Sequence, residues 1–314
     1  MNRDEHIAIL AEIGTLQRML AETPEEDVVD RASLTVRLQV LEDRIEKAGP
    51  VQREPARARL TFAGRPVIGS YGIFADFGAK AVGGFTDAVA AVAASLTAPL
   101  AAMGPIPNRD QNQLLITNTA LGSFGFELEE YRGEQLSLDD PSIIEQALDR
   151  TQCLLQGSID PNDEILADSA AELDQRALDK VRAFISTLAD QDATCALQFR
   201  ERTFRFSDLG QVRASLARLG RDNLHEDTLT LTGEFQGLLS KPRTFQFAAD
   251  GDLGVITGKV SRAVPDLDRI NRDLGYRRVQ MTLLTTRVGS DRPRYLLVEV
   301  PRLVDAEEQS STGT

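Results

Sequence analysis

The last quarter of the chain carries the most regular pattern in the sequence. Between residues 225 and 302, alternating apolar and polar residues predict five strands and one helix. The helix, at 265–274, falls between the third and fourth strands, and glycines stand where strands must bend. The predicted strands span 228–238, 243–249, 254–260, 277–287 and 294–300, with the glycines at Gly233, Gly237, Gly251 and Gly258. This order predicts a small closed β-barrel.

Three strands, a helix and two strands resemble the order of an OB-type barrel. The resemblance covers only this segment and implies a fold, not a function. OB barrels often bind single-stranded nucleic acid by stacking bases on exposed rings. Here Phe235, Phe245 and Phe247 are in phase with the core side, while the outward positions are Thr, Gln and Glu. Tyr276 and Tyr295 are the remaining candidates for stacking, so the pattern favours a structural or protein-binding barrel.

The first 50 residues predict a helical hairpin. Apolar residues recur at spacings of three and four in two stretches, as in a coiled-coil seam. Between them, Thr23-Pro24-Glu25-Glu26 fits a capping box that starts the second helix. The seam either closes within one chain or pairs with a second copy or a partner protein, and both alternatives stay open. The predicted oligomerisation residues are Ile9, Ile13, Leu16, Leu20, Leu34, Leu38, Leu41 and Ile45.

Residues 51–223 predict a central antiparallel α+β domain, because strands and helices mix there without a regular βαβ alternation. We expect two strands within 60–77, a helix through Val82 and Leu96, and a hairpin at 114–131. Two helices at 142–156 and 173–189 follow, joined by a turn at 160–163. A second hairpin at 194–206 and a helix at 209–219 complete the domain. The barrel then occupies 224–304, and 305–314 is expected to be a disordered polar tail.

The composition of the chain bears on its cellular compartment and on the partners it can bind. The net charge of −13 opposes general attraction to nucleic acid or anionic membranes. Only two cysteines occur, and the polar N-terminus does not resemble a secretory signal, so a reducing cytoplasm is expected. Residues 88–107 carry no charge, but they are rich in alanine and interrupted by proline. We therefore expect a buried helix there and no membrane partner.

No catalytic template fits the sequence, and we predict no catalytic residue, metal site or cofactor. Gly69-Ser70-Tyr71-Gly72 lacks the spacing of a nucleophile elbow, and the chain has only two histidines to act as a base. The segment 254–259 is one residue too short between its glycines for a phosphate loop. Cys153 and Cys195 are far apart in sequence and are expected to be buried apolar residues. The sequence favours a protein without enzymatic activity, and an enzyme stays an open alternative.

Three functional hypotheses remain. The first is a non-enzymatic cytosolic adaptor or regulatory protein that self-associates or docks a protein partner through the helical hairpin. The second is a nucleic-acid-associated protein of genome maintenance or bacterial defence, because eight arginines stand against three acids between 269 and 302. Its predicted contacts are Arg277, Arg278, Arg292 and Arg294. The third is a metal-dependent enzyme using the carboxylates of Glu127, Glu129, Glu130, Asp139 and Asp140.

Overall fold

The computed structural model describes residues 3–24, 26–48, 54–98, 100–101, 103–120, 124–131, 141–289 and 292–304. The chain divides into two compact units. The first comprises residues 1–56 and 132–142, and the second comprises residues 57–131 and 143–314. The predicted tail at 305–314 lies outside the described residues.

The first unit contains two helices, α1 (Arg3–Glu22) and α2 (Val28–Ala48). Ile9, Ile13, Leu16 and Leu41 are buried in one apolar cluster between them, with Leu34, Leu38 and Ile45 packed against its edge. The Arg31 guanidinium donates to the carbonyl oxygens of Leu20 (3.1 Å) and Thr23 (2.7 Å). Carbonyls at a helix C-terminus lack partners within the helix, so these bonds stabilise the end of α1.

The second unit begins with a five-stranded antiparallel sheet and the helices that cover it. Its sheet order is β4-β5-β1-β6-β7, and every pairing within it is antiparallel. The elements of this layer are β1 (Arg57–Gly64), β2 (Val67–Ile68), β3 (Gly72–Ile73), α3 (Ala75–Thr97), β4 (Leu114–Ala120), β5 (Phe124–Glu130), α4 (Ile143–Ile159), α5 (Asp163–Ala170), α6 (Gln175–Asp190), β6 (Ala193–Phe199), β7 (Arg202–Arg205) and α7 (Leu209–Arg218).

Alternation along β1 sets the two faces of this sheet. Leu60 and Phe62 point into the core, and the Phe62 ring meets that of Phe77 on α3 edge to face at 5.4 Å. On the opposite face Arg57 and Arg59 pair with Glu129 (2.8 Å) and Glu127 (2.9 Å) of β5. One face is therefore apolar and covered by helices, and the other is charged.

Helix α3 is the centre of the helical layer and packs against α4 and α6. Its small side chains allow close approach, and Phe85 contacts Phe184 with ring centroids 5.5 Å apart. Among the described residues, α3 is the one helix long and apolar enough to cross a membrane by length and composition. About 56% of its most apolar stretch is buried in the fold, as is common in core helices, so this property alone does not identify a membrane protein.

The C-terminal part of the second unit is a closed five-stranded barrel. Its strands are β8 (Leu224–Leu239), β9 (Thr244–Ala249), β10 (Val255–Val260), β11 (Arg277–Val288) and β12 (Arg294–Leu297), with α8 (Leu267–Leu274) between β10 and β11. Strand β8 pairs with both β9 and β11, and β12 closes the barrel by pairing antiparallel with β11 and parallel with β10. A short strand, β13 (Arg302–Leu303), adds to β11 outside the ring.

The barrel interior is apolar, and the predicted inward aromatics are confirmed. Phe235, Phe245 and Phe247 are at most 2% exposed and share a core with Met281 and Leu297. Thr230 and Gln246 lie on the outer face, as the alternation predicts. The partly buried Tyr295 packs against this core, whereas Tyr276 is exposed.

The structure confirms a mixed α+β chain with a C-terminal barrel and corrects two local predictions. Only one strand of appreciable length, β1, precedes α3, because the second predicted strand is divided into the two-residue β2 and β3. The segment 160–163 does not join two helices directly: α5 follows it, with Asn162 capping the backbone N–H of Glu164. Strand β13 was not predicted.

We expect Gly258→Ala to destabilise the second unit by about 1–3 kcal/mol, because overpacking a filled core forces side chains or backbone to move. A Cβ at this position would lie 2.4 Å from the Tyr295 carbonyl oxygen and 2.6 Å from Cε1 of Phe245. Urea unfolding measures the change. Gly83→Ala is the control, since a Cβ there meets nothing within 4 Å and should leave stability unchanged or raise it by up to about 1 kcal/mol. Equal stability of both variants would contradict the expected close packing of β10 and β12.

Candidate anion-binding cleft

A cleft of about 410 Å³ opens within the second unit, between the barrel and the helical layer. This volume falls in the range of small-molecule binding sites. One wall is the C-terminal end of α3 and the segment between α5 and α6. The other wall comes from the β8–β9 loop, the end of β10 and the residues that follow it, and β11 and β12. The lining residues of these two walls are far apart in sequence.

The cleft is positively charged although the chain is acidic. Its lining residues include five cations and only two acids, Glu172 and Asp174, whereas the whole chain carries −13. The cations are Arg150, Lys241, Arg243, Lys259 and Arg262. A concave site lined by one sign of charge focuses its field and raises the local concentration of oppositely charged ligands. The lining therefore favours an anion.

Burial and mutual repulsion lower the pKa values of three of these cations. The pKa of Arg150 is lowered first by burial and then by the charge of Arg262. Burial and Arg262 likewise lower the pKa of Arg243. The pKa of Lys259 is lowered by burial and by the nearby Arg150. Like charges held this closely destabilise one another, and an anion bound among them would relieve the repulsion.

Three of the five cations already have partners. The Glu172 carboxylate forms ion pairs with both Arg150 and Lys259. Arg243 donates from its guanidinium to the carbonyl oxygens of Val260 (3.2 Å), Val264 (2.9 Å) and Ser261. It therefore stabilises the turn after β10.

Lys241 and Arg262 are both exposed, and neither has a hydrogen bond or ion pair within the described part of the chain. They are the two cations available to a ligand.

The uncharged lining residues are mostly aliphatic, together with the hydroxyl residues Ser95, Thr97 and Ser261. Side chains from both walls contribute, and no aromatic ring is among the lining residues. The larger aliphatic residues of the lining are Leu96, Leu173, Val260, Leu284, Leu296 and Val298. A site of this kind combines an apolar wall, which favours an apolar ligand body, with a few charged groups that orient it.

Asp174 fixes the position of the helical wall. Its carboxylate caps α6 by accepting from the backbone N–H of Arg176 at 2.9 Å. The other carboxylate oxygen accepts from the backbone N–H of Leu100 at 3.2 Å. One side chain thus ties the chain leaving α3 to the start of α6, so both sides of this wall are held together.

The predicted oligomerisation residues lie together, at the contact between α1 and α2. Four are buried, and the other four are partly buried on the same side of their helices. In this structure they pack within one chain, and their role in oligomerisation stays a prediction. A second apolar group was not predicted: Val29, Val36 and Val40 of α2 are 82%, 63% and 60% exposed.

The four arginines predicted to contact nucleic acid fall into two groups, one with ion-pair partners and one without. Arg278 pairs with Asp250 at 2.5 Å, and Arg294 pairs with Asp168 at 2.8 Å and Glu164 at 3.6 Å. Arg277 and Arg292 are exposed and have no ion pair among the described residues. Two of the four are therefore engaged by the protein itself, and the role of all four in nucleic-acid binding stays a prediction.

The described carboxylates that were predicted to bind a metal ion have different surroundings. Glu127 and Glu129 pair with Arg59 and Arg57 on the charged face of the sheet, and Asp139 and Asp140 lie outside the described residues. Glu130 is buried. Within the described ranges, no group of three His, Cys, Asp or Glu side chains comes close enough to hold a metal ion.

The two cysteines lie in different surroundings. Cys195 is buried, as predicted, and burial raises the pKa of its thiol. Cys153 is partly buried, with its Sγ 3.6 Å from Nη1 of Arg202.

Comparison with known proteins adds no information about the function of this cleft. No protein-family model matches the chain, and no curated protein or solved structure resembles it closely enough to count as a match.

A buried polar group lies beside the cleft, where β8 and β11 face the start of α6. Oε1 of Glu226 and Oγ1 of Thr286 are buried without a hydrogen-bond partner among the described residues, and the two residues are opposite each other in the β8–β11 ladder. Burial, together with the charges of Asp174 and Asp179, raises the pKa of Glu226 to about 7, while Arg182 opposes the shift. The folded protein therefore holds a proton here that the unfolded chain releases near pH 4.5.

Glu226 should make the folded state less stable as the pH rises. Its pKa is higher in the folded than in the unfolded chain, so its stabilising contribution is complete below about pH 4.5 and is lost as the pH passes through 7. We expect Glu226→Gln to raise the free energy of unfolding by about 1–2 kcal/mol at pH 8, allowing for partial solvent screening, and to have little effect at pH 4.5. Urea unfolding at both pH values measures this. Equal effects at the two pH values would contradict it.

Proposed function

We propose that the chain is a regulatory binding protein whose second unit holds a small organic anion in the cleft between barrel and helical layer. The observation that carries the proposal is a cleft of ligand size with three more cations than acids, in a chain of net charge −13. Two of its cations, Lys241 and Arg262, have no partner among the described residues. A cleft of this size is suited to a small molecule.

We further infer that the barrel is of the OB type. The ring order β8-β9-β10-β12-β11, the helix between β10 and β11, and the parallel pairing of β10 with β12 support this inference. The cleft lies at that parallel pair and at the loops beside it. The outward face of β8 and β9 is polar and does not offer rings for base stacking, so the small-molecule proposal is favoured over binding of a nucleic-acid strand.

Thermal unfolding with a panel of organic anions tests the proposed function. Nucleotides, sugar phosphates, alkyl phosphates and carboxylates are each added to the full chain. At a concentration a hundred times the dissociation constant, a ligand should add about 2.7 kcal/mol of stability, a rise in Tm of about 5–10 °C for a unit of this size. The double variant Lys241→Ala with Arg262→Ala should lose this rise.

The matched control is Arg277→Ala with Arg292→Ala, which removes two exposed cations of the same barrel that do not line the cleft. It should keep the full rise in Tm. If no anion in the panel raises Tm, or if the two double variants respond alike, the proposal is wrong.

The second candidate function is self-association through α2. Val29, Val36 and Val40 are spaced by seven and four residues, so they form one exposed apolar stripe on this helix. The opposite side of α2 already packs on α1. Packing this stripe against the same stripe of a second copy would remove its apolar surface from water, which is favourable.

We expect the full chain to be a dimer and Val36→Glu with Val40→Glu to convert it to a monomer, because charge on the stripe opposes its burial. Light scattering coupled to size exclusion measures the mass. Thr35→Glu with Gln39→Glu adds the same charge beside the stripe and should leave the dimer intact. A monomeric wild-type chain at micromolar concentration would rule out this role for the stripe.

A further inference from the structure

We propose that the anion bound by the cleft is an alkyl phosphate, a phosphate monoester with an aliphatic body. The body would lie along Leu284, Leu296 and Val298, and the phosphate would bind Lys241 and Arg262. This inference rests on the proposed function and specifies its ligand class.

The walls indicate an aliphatic body rather than a nucleobase. A buried base needs an aromatic or guanidinium plane to stack on and hydrogen-bond partners for its polar edge. No lining side chain is aromatic, and the guanidinium groups of Arg150 and Arg243 are held by protein partners, which leaves only that of Arg262, the group assigned to the phosphate. The aliphatic side chains on the barrel side make non-directional hydrophobic contacts, which suit a hydrocarbon chain.

Two of the three hydroxyl groups in the lining donate their protons to the protein backbone. Ser95 donates to the carbonyl oxygen of Val92 at 2.7 Å, and Thr97 donates to that of Ala93 at 3.5 Å. Oγ of Ser261 accepts from the backbone N–H of Ala263 at 3.2 Å. The hydroxyl protons of Ser95 and Thr97 are therefore used within the protein, and Ser261 keeps the one lining hydroxyl proton without an acceptor among the described residues, which could donate to a phosphate oxygen.

The available charges indicate a phosphate rather than a carboxylate. A phosphate monoester carries between about −1.5 and −2 at neutral pH, whereas a carboxylate carries one charge. Two unpaired cations, Lys241 and Arg262, match the divalent group. The planar guanidinium of Arg262 can donate two parallel hydrogen bonds to phosphate oxygens, and the Lys241 ammonium adds a point charge.

Glu172 disfavours a phosphate at two of the five lining cations. Its carboxylate is paired with Arg150 and Lys259 and would repel a second anion placed near them. The head group is therefore assigned to Lys241 and Arg262, which have no protein partner among the described residues, and the body to the aliphatic side chains of the lining. A lining that offers both unpaired cations and aliphatic surface suits an amphiphilic anion.

Isothermal titration of the full chain with n-octyl phosphate, below its micellar concentration, tests the ligand class. Four comparison ligands are n-hexyl phosphate, octanoate, inorganic phosphate and adenosine monophosphate. Each buried methylene contributes about a fourfold gain in affinity, so the hexyl ester should bind about fifteenfold more weakly than the octyl ester. Octanoate, inorganic phosphate and adenosine monophosphate should each bind at least tenfold more weakly than octyl phosphate.

Two variants locate the ligand within the cleft. Arg262→Ala should weaken octyl phosphate at least tenfold, and Arg277→Ala, an exposed arginine outside the cleft, should not change its affinity. Val298→Phe places a larger side chain in the apolar wall and should weaken the octyl ester more than inorganic phosphate. Thermal unfolding without ligand verifies that each variant is folded, and Lys241→Ala provides a second head-group variant if Arg262→Ala is unstable.

The outcomes separate this inference from the proposed function. If adenosine monophosphate binds as tightly as octyl phosphate and is lost in Arg262→Ala, the site binds an anion but the aliphatic body is wrong. Equal affinities of octyl phosphate and octanoate would overturn the phosphate. Equal affinities of the hexyl and octyl esters would overturn the aliphatic contact. Binding that survives Arg262→Ala and Lys241→Ala, or absence of binding by every ligand, would overturn both proposals.

Discussion

Glu172 lies in the short segment between α5 and α6, where its carboxylate pairs with Arg150 on α4 and Lys259 on β10. Its side chain is only 16% exposed, so these pairs are screened less than pairs on an open surface. Removal of one partner from a partly buried pair leaves the other charge uncompensated, which is costly. This carboxylate therefore links the barrel to the helical layer and keeps two neighbouring cations from facing each other unpaired.

A second set of ion pairs follows the same pattern. Arg294 on β12 pairs with Asp168 and with Glu164 on α5, so another basic residue of the barrel meets acidic residues of the helical layer. The basic C-terminal segment and the acidic segment before it therefore form ion pairs with each other inside the molecule. Part of the excess of arginine in the C-terminal segment neutralises acids of the preceding segment and is not presented to an external polyanion. Lys241 and Arg262 are different, because they line the cleft without such partners.

Much of the barrel could be predicted from the sequence, because strand alternation is a local signal and Phe235, Phe245 and Phe247 were in phase with it. Helix α5 was missed because the turn-forming residues 160–163 conceal an N-cap at Asn162. The cleft could not be predicted. Arg150 and Arg262 are 112 positions apart in the sequence and become neighbours only after α4 and the barrel pack together. The available signal was a cation beside each of two strand ends, at Lys241 and Arg262, which sequence alone does not distinguish from solvated turns.

The parallel pairing of β10 with β12 has a consequence for the order in which the molecule is made. The partners Val260 and Leu297 are separated by α8 and β11, so the ring stays open until Leu297 has been synthesised. Until then β10 presents an unpaired edge, and the aliphatic wall of the cleft, to which Leu296 and Val298 belong, is incomplete. The helical layer can be translated in full before this point. The cleft is therefore completed only after the helical layer has been synthesised, and a nascent chain could not bind the proposed ligand there before β12 is made.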